Sequence, residues 1–199
     1  LEGADVLATK DALITLGADI EKTASGDWQV AGVGLHGMIS PATPLDLGNS
    51  GTGVRLLMGV VAGQNITATF VGDASLSNRP MARITTPLAA IGASIASREG
   101  QLPVTITGTP TPMARQHQSK VASAQIKSAT QLAGLTARGT TVTIEPHASR
   151  DHRDHHGLQV HRWRSRATCS PYASGGIEPS LPRSLLSRPP ARLRCPSRA

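Results

Sequence analysis

The sequence repeats itself after seventy-five residues, and that repeat constrains the fold more than any other feature of the chain. Leu16-Gly17-Ala18-Asp19-Ile20 returns as Ile91-Gly92-Ala93-Ser94-Ile95. At nearly the same offset Val30-Ala31-Gly32 matches Ile106-Thr107-Gly108, and Gly72-Asp73-Ala74-Ser75 matches Pro146-His147-Ala148-Ser149. Repetition of this kind says that one supersecondary unit is used more than once, each copy burying a face against the next.

Local patterns fill in the unit. Asp5–Leu16 carries apolar residues at helical spacing, with Gly17 placed to end the helix. Ala18–Glu21 and Trp28–Ala31 read as strands around a turn at Thr23–Asp27. A helix is expected over Thr52–Val61, ended by Gly63, then an alternating strand over Asn65–Val71. Pro80 is suited to the first position of the next helix, and Pro87 is expected to kink or restart it. After Ile91–Ile95 come a turn at Arg98–Gln101, a strand at Val104–Thr107, a helix at Ser123–Leu132, a turn at Ala137–Thr140 and a strand at Thr141–Glu145. The order helix, two strands, helix, strand is therefore used twice, over about 1–75 and 76–150, which predicts a mixed α/β fold of the α+β type.

Chemistry enters at Leu47–Arg55, where Gly48, Gly51 and Gly53 run straight into an apolar helix. Such a turn leaves backbone N–H groups pointing outward at the positive end of a helix dipole, so an anion is the natural ligand. The spacing G-x-x-G-x-G is not the dinucleotide fingerprint, and no Gly-Lys-Ser/Thr follows to make a P-loop. A tight turn with no ligand is the plain alternative. In the second copy the corresponding helix starts at Ser123-Ala124-Gln125, so two helix N-termini are available to one anion. Ser123 also reads simply as an N-cap.

The net charge of +7 does not belong to this body. Arg153–Ala199 holds nine arginines, no lysine and two acidic residues, which accounts for all of it. Residues 1–152 are balanced, which excludes nucleic-acid binding by the body; RNA binding would have to reside in the tail and be strongly salt-dependent. The tail is rich in Arg, Ser and Pro without sustained periodicity and is expected to be disordered. Its His152, His155, His156 and His161 are discounted as a metal site, since no cysteine lies at ligand spacing. Cys169 and Cys195 both fall in the tail, so the body has no disulfide framework. With no run approaching ~20 apolar residues and no charged-then-apolar N-terminal pattern, a cytoplasmic protein with no membrane partner is expected. The chain opens on Leu1, not Met, and reads as a piece of something longer.

Three stretches in order, Leu47–Arg55 with Leu56-Leu57-Met58-Gly59, Gly72–Met81 and Ala122–Ala129, resemble the 5-enolpyruvylshikimate-3-phosphate synthase family, in the bacterial subgroup with Gly-Asp-Ala-Ser-Leu and Ala-Ser-Ala-Gln. The resemblance covers Leu1 to about His152. It implies transfer of the enolpyruvyl group of phosphoenolpyruvate to the 5-hydroxyl of shikimate 3-phosphate in aromatic amino-acid biosynthesis, without metal or organic cofactor. It further implies two lobes of three β-α-β-α-β-β units forming an inside-out α/β barrel, with ligands between the lobes and a monomeric full-length protein. Residues 1–152 would be two units of one lobe.

Carried over by motif, Asn49, Gly51, Thr52 and Arg79 would lie against phosphoenolpyruvate. Ser123, Ala124 and Gln125 would face shikimate 3-phosphate, Gln125 touching both substrates, and Arg150 would contact the shikimate phosphate. A side chain at Gly51 would crowd the ligand, and glyphosate-insensitive members of the family can carry Ala there.

The family's Lys-Ser…Arg motif and the Asp and Glu used for proton transfer have no counterpart here, so the chain is expected to hold no catalytic residue and to be an incomplete, inactive copy. Resemblance, lysine and periodicity all stop near His152, which suggests an out-of-frame tail. The competing readings are a non-catalytic anion-binding fragment or pseudoenzyme, and a relative of the UDP-N-acetylglucosamine enolpyruvyl transferases.

Overall fold

A computed structural model describes residues 2–146 and the backbone of residues 159–165. The elements follow as α1 (Ala4–Thr15), β1 (Asp19–Lys22), β2 (Trp28–Ala31), β3 (Leu45–Asp46), α2 (Gly51–Ala62), β4 (Thr67–Val71), α3 (Ala74–Ser77), α4 (Ala82–Ile91), β5 (Ser94–Arg98), β6 (Gln101–Thr107), β7 (Gln116–Gln118), α5 (Ala124–Ala133), β8 (Gly139–Glu145) and β9 (Gln159–Ser165). The fold is mixed α/β.

The ends of α1 and α4 are closed by matching hydrogen bonds. At the end of α1, Gly17 N–H donates to Ile14 and Ala18 N–H to Leu13; at the end of α4, Gly92 N–H donates to Ala89 and Ala93 N–H to Leu88. Every partner is displaced by seventy-five residues. Both closures are of the Schellman type, in which the residue after the C-cap must take positive φ, and Gly17 (φ 105°) and Gly92 (φ 120°) take it. The incoming chain is fixed alike, Ile39 N–H donating to the Leu16 carbonyl and Met113 N–H to that of Ile91.

Among the described residues three sheets carry the helices. One contains β3-β4-β6-β5 in that order, with β3 parallel to β4 and the other pairs antiparallel. Another is the β1-β2 hairpin, and the third is β7-β8-β9. In the last, β7 runs parallel to β8 and β9 antiparallel to it, so β9 stands beside β8 as β6 stands beside β4. Regular structure is thus present at Gln159–Ser165, within the segment expected to be disordered. The free edge of β8 offers a ladder of unpaired backbone groups to any extended segment, whatever the composition around it. The remainder of the tail lies outside the described residues.

Other differences have local causes. The strands β3 and β7, two and three residues long, go unpredicted because neither is long enough to show alternation. The helix α3 is a single turn capped by Asp73, whose carboxylate accepts from Leu76 N–H at 2.7 Å. The helix α4 starts at Ala82, so Pro80 precedes it instead of opening it, and the helix continues through Pro87. Pro87, the sixth of its ten residues, forgoes one intrahelical bond, and it is buried.

The core is aliphatic. Leu16, Leu45, Leu47, Met58, Phe70, Leu76, Met81, Ile84, Leu88, Ile91 and Ile106 are fully buried. The helices α2 and α5 approach closely along small residues: a β-carbon on Gly59 would fall 2.3 Å from the Ala129 carbonyl oxygen, and one on Gly63 would fall 2.5 Å from that of Ala133. Close parallel packing of α2 and α5 brings their N-termini to one end of the molecule.

Candidate functional site at the helix N-termini

The glycine loop is built as an anchored turn. Gly48 takes φ 54°, and its N–H donates to Asp46 Oδ1 at 2.9 Å. Its carbonyl accepts from Asp73 N–H at 2.9 Å, which draws the Gly72-Asp73 corner against the loop. Gly72 permits this approach, since a β-carbon there would lie 2.8 Å from the Gly48 carbonyl oxygen. Ser50 then caps α2, accepting from Gly53 N–H at 3.2 Å.

A relay of polar side chains crosses from this corner to the loop. Asn49 Nδ2 donates to Asp73 Oδ2 at 2.8 Å, and Asn49 Oδ1 accepts from Arg79 Nη2 at 2.6 Å. Both ends of the Asn49 amide are engaged, so it holds Arg79 in place over the start of α2. The Leu76 N–H bond holds the Asp73 carboxyl below the usual range, with help from the Asn49 amide, Ser75 N–H and the charge of Arg79.

A second set of bonds joins α2 to α5. Gln125 Nε2 donates to Thr52 Oγ1 at 2.9 Å, and Gln125 Oε1 accepts from Arg55 Nη1 at 3.1 Å. Arg55 Nη1 also donates to the Gly51 carbonyl at 3.1 Å. Gly51 is the meeting point, because a β-carbon there would lie 2.7 Å from Arg79 Nη1 and 3.1 Å from Arg55 Nη1.

Burial, then the neighbouring charges of Arg79 and Arg83, push the Arg55 guanidinium below its ordinary value. Among the described residues none of these three arginines forms an ion pair. Guanidiniums gathered at helix N-termini make a concentrated positive field, suited to an oxyanion that accepts several N–H bonds at once.

The structure therefore brings Asn49, Gly51, Thr52, Arg79 and Gln125 together. Ser123 and Ala124 adjoin them at the start of α5, where Ser123 Oγ caps the helix by accepting from Ile126 N–H at 3.4 Å. Arg150 lies outside the described residues, as do His152, His155 and His156. Arg55 belongs to this set as well, although no family motif assigns it a role. The available signal is its position four residues after Gly51, one helical turn down the same face.

Comparison with known proteins agrees across sequence and structure. The sequence model of the EPSP synthase (3-phosphoshikimate 1-carboxyvinyltransferase) family matches residues 1–157. The chain is 55% identical over 153 residues to the 3-phosphoshikimate 1-carboxyvinyltransferase of Parvibaculum lavamentivorans, covering 76% of this chain and 34% of that protein. It is 54% identical over 153 residues to the enzyme of that name from Zymomonas mobilis, with the same coverage. The solved EPSP synthase of Acinetobacter baumannii superposes with a TM-score of 0.71 at 46% identity, over 76% of this chain and 34% of that one. The chain thus spans about a third of the length of the relatives it matches. On the family match, the identities and the shared fold together, this chain belongs to the EPSP synthase family, whose members are transferases.

Proposed function

We propose that this chain supplies part of one lobe of an enolpyruvyl transferase acting on phosphoenolpyruvate and shikimate 3-phosphate, in the shikimate pathway of the cytoplasm. The observation that carries this reading is the convergence of Arg55, Arg79, Gln125 and Thr52 on Gly51. Phosphoenolpyruvate presents a carboxylate and a phosphate close together, and the planar forks of Arg79 and Arg55 match both. Asn49 aims Arg79, while Thr52 and Gln125 supply neutral donors. Ser123, Ala124 and Gln125 face shikimate 3-phosphate, with Arg150 on its phosphate and Gln125 between the substrates.

The chemistry asked of these residues is to bring two polyanions together and offset their mutual repulsion. Preorganised N–H donors do this without reorganising during the reaction. The repeated helix-strand order supports two units, about 1–75 and 76–150, within a lobe of the inside-out barrel, with the partner lobe completing a monomer. No group here is assigned to proton transfer, so residues 1–199 alone bind substrates weakly and do not turn them over. The tail from Arg153 is proposed as an out-of-frame continuation; a family-like sequence in one of the other two reading frames beyond codon 152 is the expected finding.

Calorimetric titration of the purified chain with phosphoenolpyruvate and shikimate 3-phosphate, paired with a phosphate-release assay, tests the binding claim. Measurable affinity without phosphate release is expected. A folded chain that binds neither ligand, or one that releases phosphate, overturns it.

A further inference from the structure

Beneath the α5 N-terminus lies a charged pair that the substrate contacts do not use. Glu145, the last residue of β8, is 1% exposed, and Lys127, one turn into α5, is 4% exposed. Glu145 Oε1 accepts from the backbone N–H of Ser123 at 2.8 Å, and Oε2 lies 3.7 Å from Lys127 Nζ. The inward face of β8 is polar throughout, Thr141 and Thr143 preceding Glu145 on it, and α5 adds the buried Thr130.

Burying an ion pair gives little stability over a well-packed apolar pair of the same volume, because both charges lose their hydration. Placed here, the pair does something an apolar pair does not. The Ser123 N–H is one of the orphan donors of a helix N-terminus, and a carboxylate held from below fixes it to the end of a strand. Ser123 Oγ meanwhile closes the turn from above, on Ile126 N–H.

We infer that Glu145 is a positioning residue: through Ser123 N–H it sets the place and tilt of Ser123-Ala124-Gln125, and Lys127 fixes its other oxygen. The inference deepens the proposed function and rests on its assignment of that turn to shikimate 3-phosphate. Gln125 transmits the placement to Thr52 and Arg55 on α2. A small shift of one helix start would therefore spoil both halves of the site, and misplacements of about 1 Å can cost on the order of a hundredfold.

The test uses the 15N-labelled full chain and the variants Glu145→Ala, Glu145→Gln and Lys127→Met, followed by amide hydrogen exchange and by titration with shikimate 3-phosphate. Glu145→Gln keeps the volume and an acceptor oxygen, so it remains informative where the alanine variant does not fold. In Glu145→Ala the Ser123 amide is expected to exchange at least about tenfold faster, while Val104 and Ile106 of β6 keep their protection. The dissociation constant for shikimate 3-phosphate rises about tenfold with it, and Glu145→Gln recovers part of both effects. Unchanged Ser123 exchange in a folded Glu145→Ala chain overturns the inference. So does an equal loss of protection at Ser123 and throughout β6, which marks a structural role alone. A wild-type chain that binds no shikimate 3-phosphate sinks the proposed function instead, and Ser123 exchange then decides the Glu145 tie by itself.

Discussion

Gly59 on α2 lies against the backbone of Ala129 on α5, so closely that a β-carbon on the glycine would stand 2.3 Å from the alanine carbonyl oxygen and 2.7 Å from its Cα. Backbone has nowhere to retreat within two packed helices. Gly59→Ala is therefore expected to destabilise the chain by about 3 kcal/mol, although alanine is the better helix former. Gly32→Ala, where a β-carbon meets nothing within 4 Å, is the control and should cost under ~0.5 kcal/mol. Urea unfolding of the two variants checks this, and equal midpoints would count against the close packing of α2 on α5.

The two Schellman closures give a paired prediction. Gly17 and Gly92 both hold positive φ, where an L side chain is strained. Each Gly→Ala substitution should cost about 1–2 kcal/mol. Gly92→Ala should cost the more, since its β-carbon would also crowd Thr109 Cγ2 at 3.2 Å, against 3.5 Å to Ile39 for Gly17. Thermal unfolding of the single and double variants measures both costs and their additivity. Closures that do not matter would leave all three midpoints unmoved.

That pair also marks what was legible in the sequence. Leu-Gly-Ala and Ile-Gly-Ala announce a helix stop in both copies because only glycine serves at the positive-φ position, so sequence and hydrogen bonding say the same thing. The α2 and α5 starts were legible for a related reason: a glycine loop and a serine N-cap at Ser123 are local chemistry. Gly59 was not. Inside an apolar helix it reads as a weak point, and its purpose depends on Ala129, seventy residues away. Arg55 sits one turn below Gly51, but neither it nor Glu145 could be given its partner from the sequence, for the same reason. Each acts across an interface, on Gln125 and Ser123, that only packing creates. The strand β9 escaped because the partner edge, more than the segment's own composition, gives it regular structure.

Asp73 links stability to pH. Its folded-state pKa lies below the ordinary 3.8, first through the Leu76 N–H bond and then through Asn49, Ser75 N–H and Arg79. A carboxylate so depressed contributes stability that is fully present above the unfolded value and is lost as the pH falls through the folded one. The stability gap between wild type and Asp73→Ala should thus be full at pH 7 and begin to close below about pH 4. Chemical unfolding at a series of pH values reads this directly. A gap that stays constant down to the acid limit would mean that the carboxylate charge contributes nothing there.

Gly51 yields the prediction closest to function. Its missing side chain leaves the space where Arg79 Nη1 and Arg55 Nη1 approach, and both are the far ends of flexible side chains. Gly51→Ala should therefore leave the fold intact, with a stability change under ~1 kcal/mol and helped by the better helix propensity of alanine. Displacing the guanidiniums is another matter. Arg79 is aimed by Asn49, and Arg55 by Gln125 and the Gly51 carbonyl, so a methyl group between them breaks a shared geometry. Affinity for phosphoenolpyruvate is expected to fall about tenfold, near 1.4 kcal/mol. Affinity for shikimate 3-phosphate, held at the start of α5, should change far less. Calorimetry with both ligands separates the two effects. An equal loss for both would place the ligands in one undivided site, whereas no loss for phosphoenolpyruvate would remove it from the glycine loop altogether.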